Sequence, residues 1–221
     1  MISENLQKIR ATLKPDVRLV AVSKFHPVEA LQEAYDAGQR IFGENHVQEL
    51  VAKEAVLPRD IEWHFIGHLQ TNKVKYIAPF VSLIHSMDSL KLMKEIDKQG
   101  QKCGRVIDAL LQIHVAAEET KFGFTPEEVI KMLAEGEWKN YTHVRLVGLM
   151  AMATNTDDDA QIAREFDTVQ RLFHTLKTNY FADNPEFNQL SMGMSGDYLI
   201  AQQHGSTLVR VGSMIFGPRI Y

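Results

Sequence analysis

One cysteine, Cys103, in 221 residues excludes an intrachain disulfide framework and points to a reducing compartment. No apolar run approaches the roughly 20 residues that cross a bilayer. The opening Met1-Ile-Ser-Glu-Asn5 lacks the basic and apolar regions of a secretory signal. Basic charge is in slight deficit: 24 Lys and Arg stand against 28 Asp and Glu, a net charge of −4. Without a concentrated basic patch, neither nucleic acid nor a membrane surface is an expected partner. The chain also lacks internal repeats, low-complexity segments and any linker that would divide it. What it has is 45% hydrophobic residues, enough for one domain over 1–221 with a sizeable core. A cytoplasmic monomer is expected.

The most informative stretch is Val17-Arg-Leu-Val-Ala-Val-Ser-Lys24-Phe-His-Pro27. Its aliphatic run reads as a strand buried on both faces. Pro27 suits the first turn of a following helix. Lys24 therefore stands at the carboxyl end of a core strand. Desolvation there favours a neutral, nucleophilic amine. On this stretch alone, a strand-end lysine snorkelling to water is the plainer reading.

Further strands are expected over 40–44, 61–67, 81–86, 106–115, 144–152, 187–192 and 207–211. Helices are expected over 2–13 with Ser3 as cap, from Val28 to Gly38, from Asn45 to near Pro58, and over 70–77. Others run from Asp88 to Gly100, from Thr125 to Glu135, from Asp157 through Leu176, and over 197–203. Thr125-Pro-Glu-Glu128 is a capping box with proline at the first helical position. Eight strands alternating with helices imply parallel βαβ units. The count fits an α/β fold: a single (β/α)8 TIM barrel with an extra N-terminal helix. An open doubly wound sheet is the second choice.

Barrel sites form at the carboxyl ends of the strands. That rim collects Lys24, Gly43-Glu44-Asn45, Gly67-His68, His85-Ser86, Met150-Ala-Met152, Ser191-Met-Gly-Met194-Ser195-Gly196 and Arg210-Val-Gly212-Ser213, then Phe216-Gly217. Ser195-Gly196 and Gly212-Ser213 each precede a helical turn, where backbone N–H groups bind phosphate. A phosphate cradle after strands seven and eight and a reactive lysine on strand one suit a phosphorylated carbonyl compound. Sugar phosphates and pyridoxal phosphate both qualify. Arg210 could reach the middle of such a ligand. An arginine cannot take up a proton, so beside a pyridine nitrogen it would leave a weak electron sink.

Other residues carry less. His64 and His68 span a strand end with no third ligand, so zinc is not expected. Met150, Met152, Met192, Met194 and Met214 read as barrel filling. Cys103 falls on the far side from the rim. Lys121-Phe-Gly-Phe124 reads as a rigid loop beside the rim, with no assigned chemistry.

Through nearly its whole length the sequence resembles the pyridoxal-phosphate homeostasis protein family. The resemblance rests on Ala21-Val-Ser-Lys24, Phe42-Gly-Glu-Asn-His-Val-Gln-Glu49, Trp63-His-Phe-Ile-Gly-His-Leu-Gln-Thr-Asn-Lys73, Thr120-Lys-Phe-Gly-Phe124, Leu190-Ser-Met-Gly-Met-Ser195, Val209-Arg-Val-Gly212 and Ile215-Phe-Gly217. It implies a barrel similar to the N-terminal domain of alanine racemase. It implies pyridoxal 5'-phosphate (PLP) held by Lys24 as an internal aldimine, and Arg210 facing the pyridine nitrogen. Ser195, Gly212 and Ser213 would hold the phosphate, with Asn45 against the ring and Met194 in the same cofactor-binding set. His46 stands where many members have tyrosine, His68 where many have proline, and Ser213 where threonine is frequent.

The resemblance implies a PLP-binding homeostasis role, buffering or delivering the cofactor to PLP-dependent apoenzymes, without robust catalysis. Two alternatives stand beside it. A weak PLP-dependent racemase would need a second base on the opposite face of the substrate carbon. In alanine racemase part of that machinery comes from a second domain, which is not expected in a chain ending at Tyr221. A Schiff-base aldolase acting on sugar phosphates would carry no chromophore.

Overall fold

Strands without a polar face need cover on both sides, and the chain places a helix after each one. The computed structural model describes residues 1–119 and 122–218. Its elements are α1 (Ile2–Arg10), β1 (Arg18–Val22), α2 (Val28–Asp36), β2 (Ile41–Glu44), α3 (Val47–Glu54), β3 (Glu62–Phe65), α4 (Val74–Ile77), β4 (Leu83–Met87) and α5 (Leu90–Cys103). There follow β5 (Ile107–His114), α6 (Pro126–Glu135), β6 (Val144–Met152), α7 (Asp159–Tyr180), β7 (Gln189–Ser191), α8 (Tyr198–Gln203), β8 (Leu208–Val211) and α9 (Ser213–Phe216). The strands pair in chain order, all parallel, into a closed barrel. This is a (β/α)8 barrel, with α1 as the extra N-terminal helix. The ring closes where β1 meets β8, from Arg18 opposite Leu208 to Ala21 opposite Val211.

Strand alternation sorts the core into two layers. Val20, Ile41, Leu83, Leu110, Val147, Met150 and Leu208 fill the barrel. Leu19, Ala21, Phe42, Trp63, Leu111 and Val209 face the helices. The parity of β1 matters for function. Val20 points inward and Ala21 outward, so Val22 and Lys24 continue the inner row and Ser23 belongs to the outer one.

Helix ends largely follow the sequence signals. Thr125 Oγ1 accepts from Glu128 N at 3.1 Å while Glu128 Oε2 accepts from Thr125 N at 2.8 Å. Asp158 caps α7 by accepting from the N–H groups of Ala160 and Gln161. Pro27, expected in the first turn of α2, is its N-cap with extended backbone. Two further expectations need correction. The N-cap of α1 is Met1, with Ser3 already inside the helix. Helix α5 does not stop at Gly100 but runs on to Cys103 and closes at Gly104, whose φ is 66°. Gly100 is glycine for packing: a Cβ there would lie 2.9 Å from the carbonyl oxygens of Arg105 and His143.

The methionine set also divides. Met150 fills the barrel and Met152 packs against it. Met192 lies in the outer layer. Met194 and Met214 are exposed at the rim, 38% and 44%, because the chain has left the sheet at Gly193 and Gly212. No helix among the described residues is long and apolar enough to cross a membrane.

Candidate functional site

The rim around the closure of β8 on β1 holds a cavity of about 300 Å³. Lys24, Asn45, Met194, Ser195, Arg210, Gly212 and Ser213, all singled out from the sequence, line it. Val22, His26 and Ile66 line it too and were not singled out. Alternation from Lys24 could have found Val22 and His26, both two residues away on the same face. Ile66 carries no such signal. Gly43 and Glu44, read from the sequence as rim residues, part company. Gly43 sits over the barrel, where a Cβ would meet Val20 Cγ1 at 2.9 Å. Glu44 faces the helix layer and is fully buried. Asn45 returns to the cavity, and Gly67 lets β3 press against it. An alanine Cβ at Gly67 would lie 2.5 Å from the Asn45 carbonyl oxygen. Gly67→Ala is therefore expected to displace Asn45 and weaken ligand binding about tenfold or more in an equilibrium titration, with the barrel still folded.

The far wall is a cradle of backbone amides and hydroxyls. Ser195 and Ser213 come from the β7 and β8 loops, and their hydroxyls lie 3.4 Å apart. Among the described residues, the N–H groups of Ser195, Gly196 and Ser213 donate to no protein acceptor. At Gly196 an added Cβ meets nothing within 4 Å, so the backbone lies open. Undonated amides, hydroxyls and glycine together suit a phosphate group.

Arg210 lies between this cradle and the barrel interior, 4% exposed. It donates to the Ser191 carbonyl at 3.0 Å, closely to Ser191 Oγ, and to the Ala151 carbonyl at 3.2 Å. All three acceptors are neutral. Burial pulls its pKa down to about 10, against the charge of Asp197, so it is still a cation at neutral pH. Beneath it a polar chain crosses the barrel. Ser191 Oγ is 2.9 Å from His85 Nδ1, and His85 Nε2 is 2.9 Å from His64 Nδ1. Burial holds His64 down at about pKa 3 and His85 well below its usual range, with His64 and Arg210 adding to the effect on His85. Both rings are neutral. Ser191 Oγ accepts from Arg210 and passes the hydrogen-bonded chain on through the two neutral rings to His64. His64, weighed with His68 for zinc, turns to His85, and no group of three or more His, Cys, Asp or Glu that could hold a metal ion occurs among the described residues. His68 instead stacks on Phe122 at 3.9 Å and places Nδ1 3.4 Å from Asp88. Phe122 belongs to the stretch read as a rigid loop beside the rim; its neighbours Thr120 and Lys121 lie outside the described residues, as does Tyr221.

The turn that presents Lys24 is strained. Phe25 has φ 64°, the only positive φ of a non-glycine among the described residues. Such a conformation costs on the order of 1–3 kcal/mol and persists only where surroundings impose it. Here Glu49 Oε1 accepts from Phe25 N at 2.7 Å. Lys53 Nζ donates to the Ser23 carbonyl at 2.8 Å and to Glu44 and Glu49 at 2.7 Å each. Ser23 Oγ donates to Glu44 at 2.5 Å. Burial pushes the Glu44 carboxyl up to about 7, opposed by Lys53 and Ser23.

A family model for the alanine racemase N-terminal domain matches residues 1–219. A pyridoxal phosphate homeostasis protein of Aquifex aeolicus is 41% identical over 209 residues, covering 92% of this chain and 88% of that protein. The chain belongs to the pyridoxal phosphate homeostasis protein family. Structures of PipY from Synechococcus elongatus are similar to this homeostasis-family barrel at 36% identity, covering 98% of this chain and 100% of PipY. The TM-score is 0.92 for PipY without PLP and 0.88 for PipY with PLP bound. Alanine racemase from Bartonella henselae shares the fold alone, at TM-score 0.75 and 16% identity over 99% of this chain and 58% of the racemase.

Proposed function

We propose that the protein binds PLP in the rim cavity, with Lys24 as its covalent anchor, and serves to hold and release the cofactor for PLP-dependent apoenzymes. One observation carries this reading. An amine at the end of β1 and an anion cradle after β7 and β8 line the same cavity of about 300 Å³. PLP carries an aldehyde and a phosphate at opposite ends of one ring. The Lys24 amine condenses with the aldehyde, releasing one water, and the bond is hydrolysed by the reverse step. Ser195, Gly196 and Ser213 receive the phosphate through amides and hydroxyls. Arg210, fixed from below by Ser191, faces the ring nitrogen as a donor and leaves that nitrogen unprotonated. When bound, PLP would supply an electron sink, and this arrangement weakens it. The names of the relatives and the PLP-bound form of PipY support the same cofactor.

A holding role is favoured over racemisation by the lining itself. Among the described residues the one lining side chain besides Lys24 that could act as a base is His26, which is buried and stacked on the Phe216 ring at 5.0 Å. The cavity is also open at the rim, which suits exchange more than water-excluded chemistry.

Incubation with PLP, reduction with borohydride and peptide mapping test the anchor. A single pyridoxyl group on Lys24 is expected, and Lys24→Ala should take none above background. Ser213→Ala should still be labelled but bind PLP roughly tenfold more weakly, while its affinity for pyridoxal without phosphate stays unchanged. Label on another lysine would sink the assignment. Sustained formation of D-alanine from L-alanine by the loaded protein would overturn the holding role.

A further inference from the structure

The cavity explains what faces the Lys24 amine. It does not explain the charged cluster behind the same turn. Strand parity sends Lys24 inward and Ser23 outward, so the backbone here has a face toward α3 as well as a face toward the cavity. On that outer face stand Glu44 from the end of β2 and Glu49 and Lys53 from α3. Lys53 is 4% exposed, unusual for a lysine, and its three donor positions are all used. One goes to the carbonyl of Ser23, the residue before Lys24. Its partner Glu49 accepts from the N–H of Phe25, the residue after Lys24. One ion pair of 2.7 Å thus grips the peptide groups on both sides of the anchor. The gripped residue is the one that needs it, because Phe25 holds a left-handed conformation that glycine would adopt unaided.

We propose that Lys53 and Glu49 are positioning residues for the Lys24 amine. By fixing the Ser23 carbonyl and the Phe25 N–H they direct the amine across the cavity toward the Ser195–Ser213 cradle. They thereby set how fast an aldehyde ligand is captured and how long it stays. The assignment to PLP capture rests on the function proposed above; the positioning of Lys24 does not. Glu44 completes the cluster by sharing Lys53 and binding Ser23 Oγ, which ties the end of β2 to the same turn.

The test compares Glu49→Ala, Glu49→Gln and Lys53→Met with the wild type as full-length protein. Thermal melts first establish that each is folded. Lys24 is then methylated in the ligand-free protein with formaldehyde and cyanoborohydride, and its rate is read by peptide mass against the exposed lysines Lys8 and Lys131. PLP capture and release are followed separately by absorbance and by borohydride trapping, and inorganic phosphate is titrated as a probe of the cradle. Glu49→Ala should fold, bind inorganic phosphate as the wild type does, and capture PLP about ten- to a hundredfold more slowly. Its Lys24 methylation rate should change while those of Lys8 and Lys131 do not. Glu49→Gln keeps an acceptor for Phe25 N–H and should recover most of the capture rate. Lys53→Met should resemble Glu49→Ala or lose more; if it does not fold, the two Glu49 variants still decide. A folded Glu49→Ala protein with wild-type methylation and capture overturns the proposal, as does a loss that Glu49→Gln fails to restore. If the wild type takes no PLP on Lys24, the function proposed above fails, and the methylation rates alone decide the positioning role.

Discussion

Replacement of Gly148 by alanine is expected to abolish the folded barrel. Gly148 stands in β6 with φ 153°, and an added Cβ would lie 1.7 Å from the Gln189 carbonyl oxygen of β7. That is a covalent distance, and the obstacle is backbone in the neighbouring strand, which no rotamer change can clear. The strand is irregular at this point: Ala109 pairs with Leu146, whereas Leu110 pairs with Gly148. The residue skipped in this register shift, Val147, points into the barrel. A bulge that gives β6 its curvature thus depends on a residue without a side chain. Separation of β6 from β7 would open the ring, so a loss beyond about 5 kcal/mol is expected, as large as the whole margin of a domain at the low end of ordinary stability. Gly104→Ala is the matched control. It also has positive φ, 66°, but a Cβ there meets nothing within 4 Å. It should cost only about 1 kcal/mol. Urea unfolding followed by circular dichroism separates the two; a Gly148→Ala protein as stable as Gly104→Ala would refute the steric argument.

Mild acid is expected to destabilise the barrel from its interior. His64 and His85 are buried and neutral, with folded pKa values below the ordinary 6.5. In the unfolded chain both take up protons as the pH falls through 6.5. The folded state refuses them until far lower, about pH 3 for His64. Their contribution is therefore complete above pH 6.5 and is lost on the way down, by up to about 1.4 kcal/mol per pH unit for each ring. Glu44 acts in the opposite sense. Its folded pKa is raised from 4.5 to about 7, so its contribution is complete below pH 4.5 and is lost as the pH rises through 7. Between pH 6.5 and 4.5 one carboxyl thus offsets one histidine, and the second histidine leaves a net loss of roughly 3 kcal/mol. Below pH 4.5 the offset ends and the decline should steepen. His64→Gln keeps a polar side chain but no proton uptake. It should flatten the urea midpoint against pH by about one proton between pH 6.5 and 4.5, whatever it costs at pH 8. An unchanged slope would remove His64 from the account.

The order of strands was legible because each is a short apolar run closed by glycine or a helix signal, and alternation with helices leaves few topologies. The site was legible where chemistry is local. Lys24 at a strand end and the glycine–serine turns before α8 and α9 announce themselves within a few residues. What was not legible depends on pairing between distant elements. The bond between His64 and His85 needs the inner faces of β3 and β4 in register, which a one-residue slip would destroy. Glu44 looked like a rim residue because it follows Gly43, yet strand parity turns it toward Lys53 on α3. Gly148 sits in an apolar stretch whose composition says nothing of a bulge. Gly100 had the look of a helix stop, but the helix passes through it, and the residue is glycine because the space beyond its Cα is already taken by two carbonyl groups.

The closure of β8 on β1 has a consequence for synthesis and folding. The cavity takes Val22, Lys24, His26 and Asn45 from the start of the chain, Ile66 and Met152 from its middle, and the cradle residues and Arg210 from its last part. Its two walls are joined along the four paired positions from Arg18–Leu208 to Ala21–Val211 and by the stack of His26 on Phe216. During translation the lysine emerges long before the turns that would sit across from it, so a half-made chain has the amine without the cradle. Capture is then a property of the finished ring. A ligand joined to β1 at one end and held by the β7 and β8 loops at the other would act as a clasp on the final joint. It should slow the opening of that joint more than any other in the barrel.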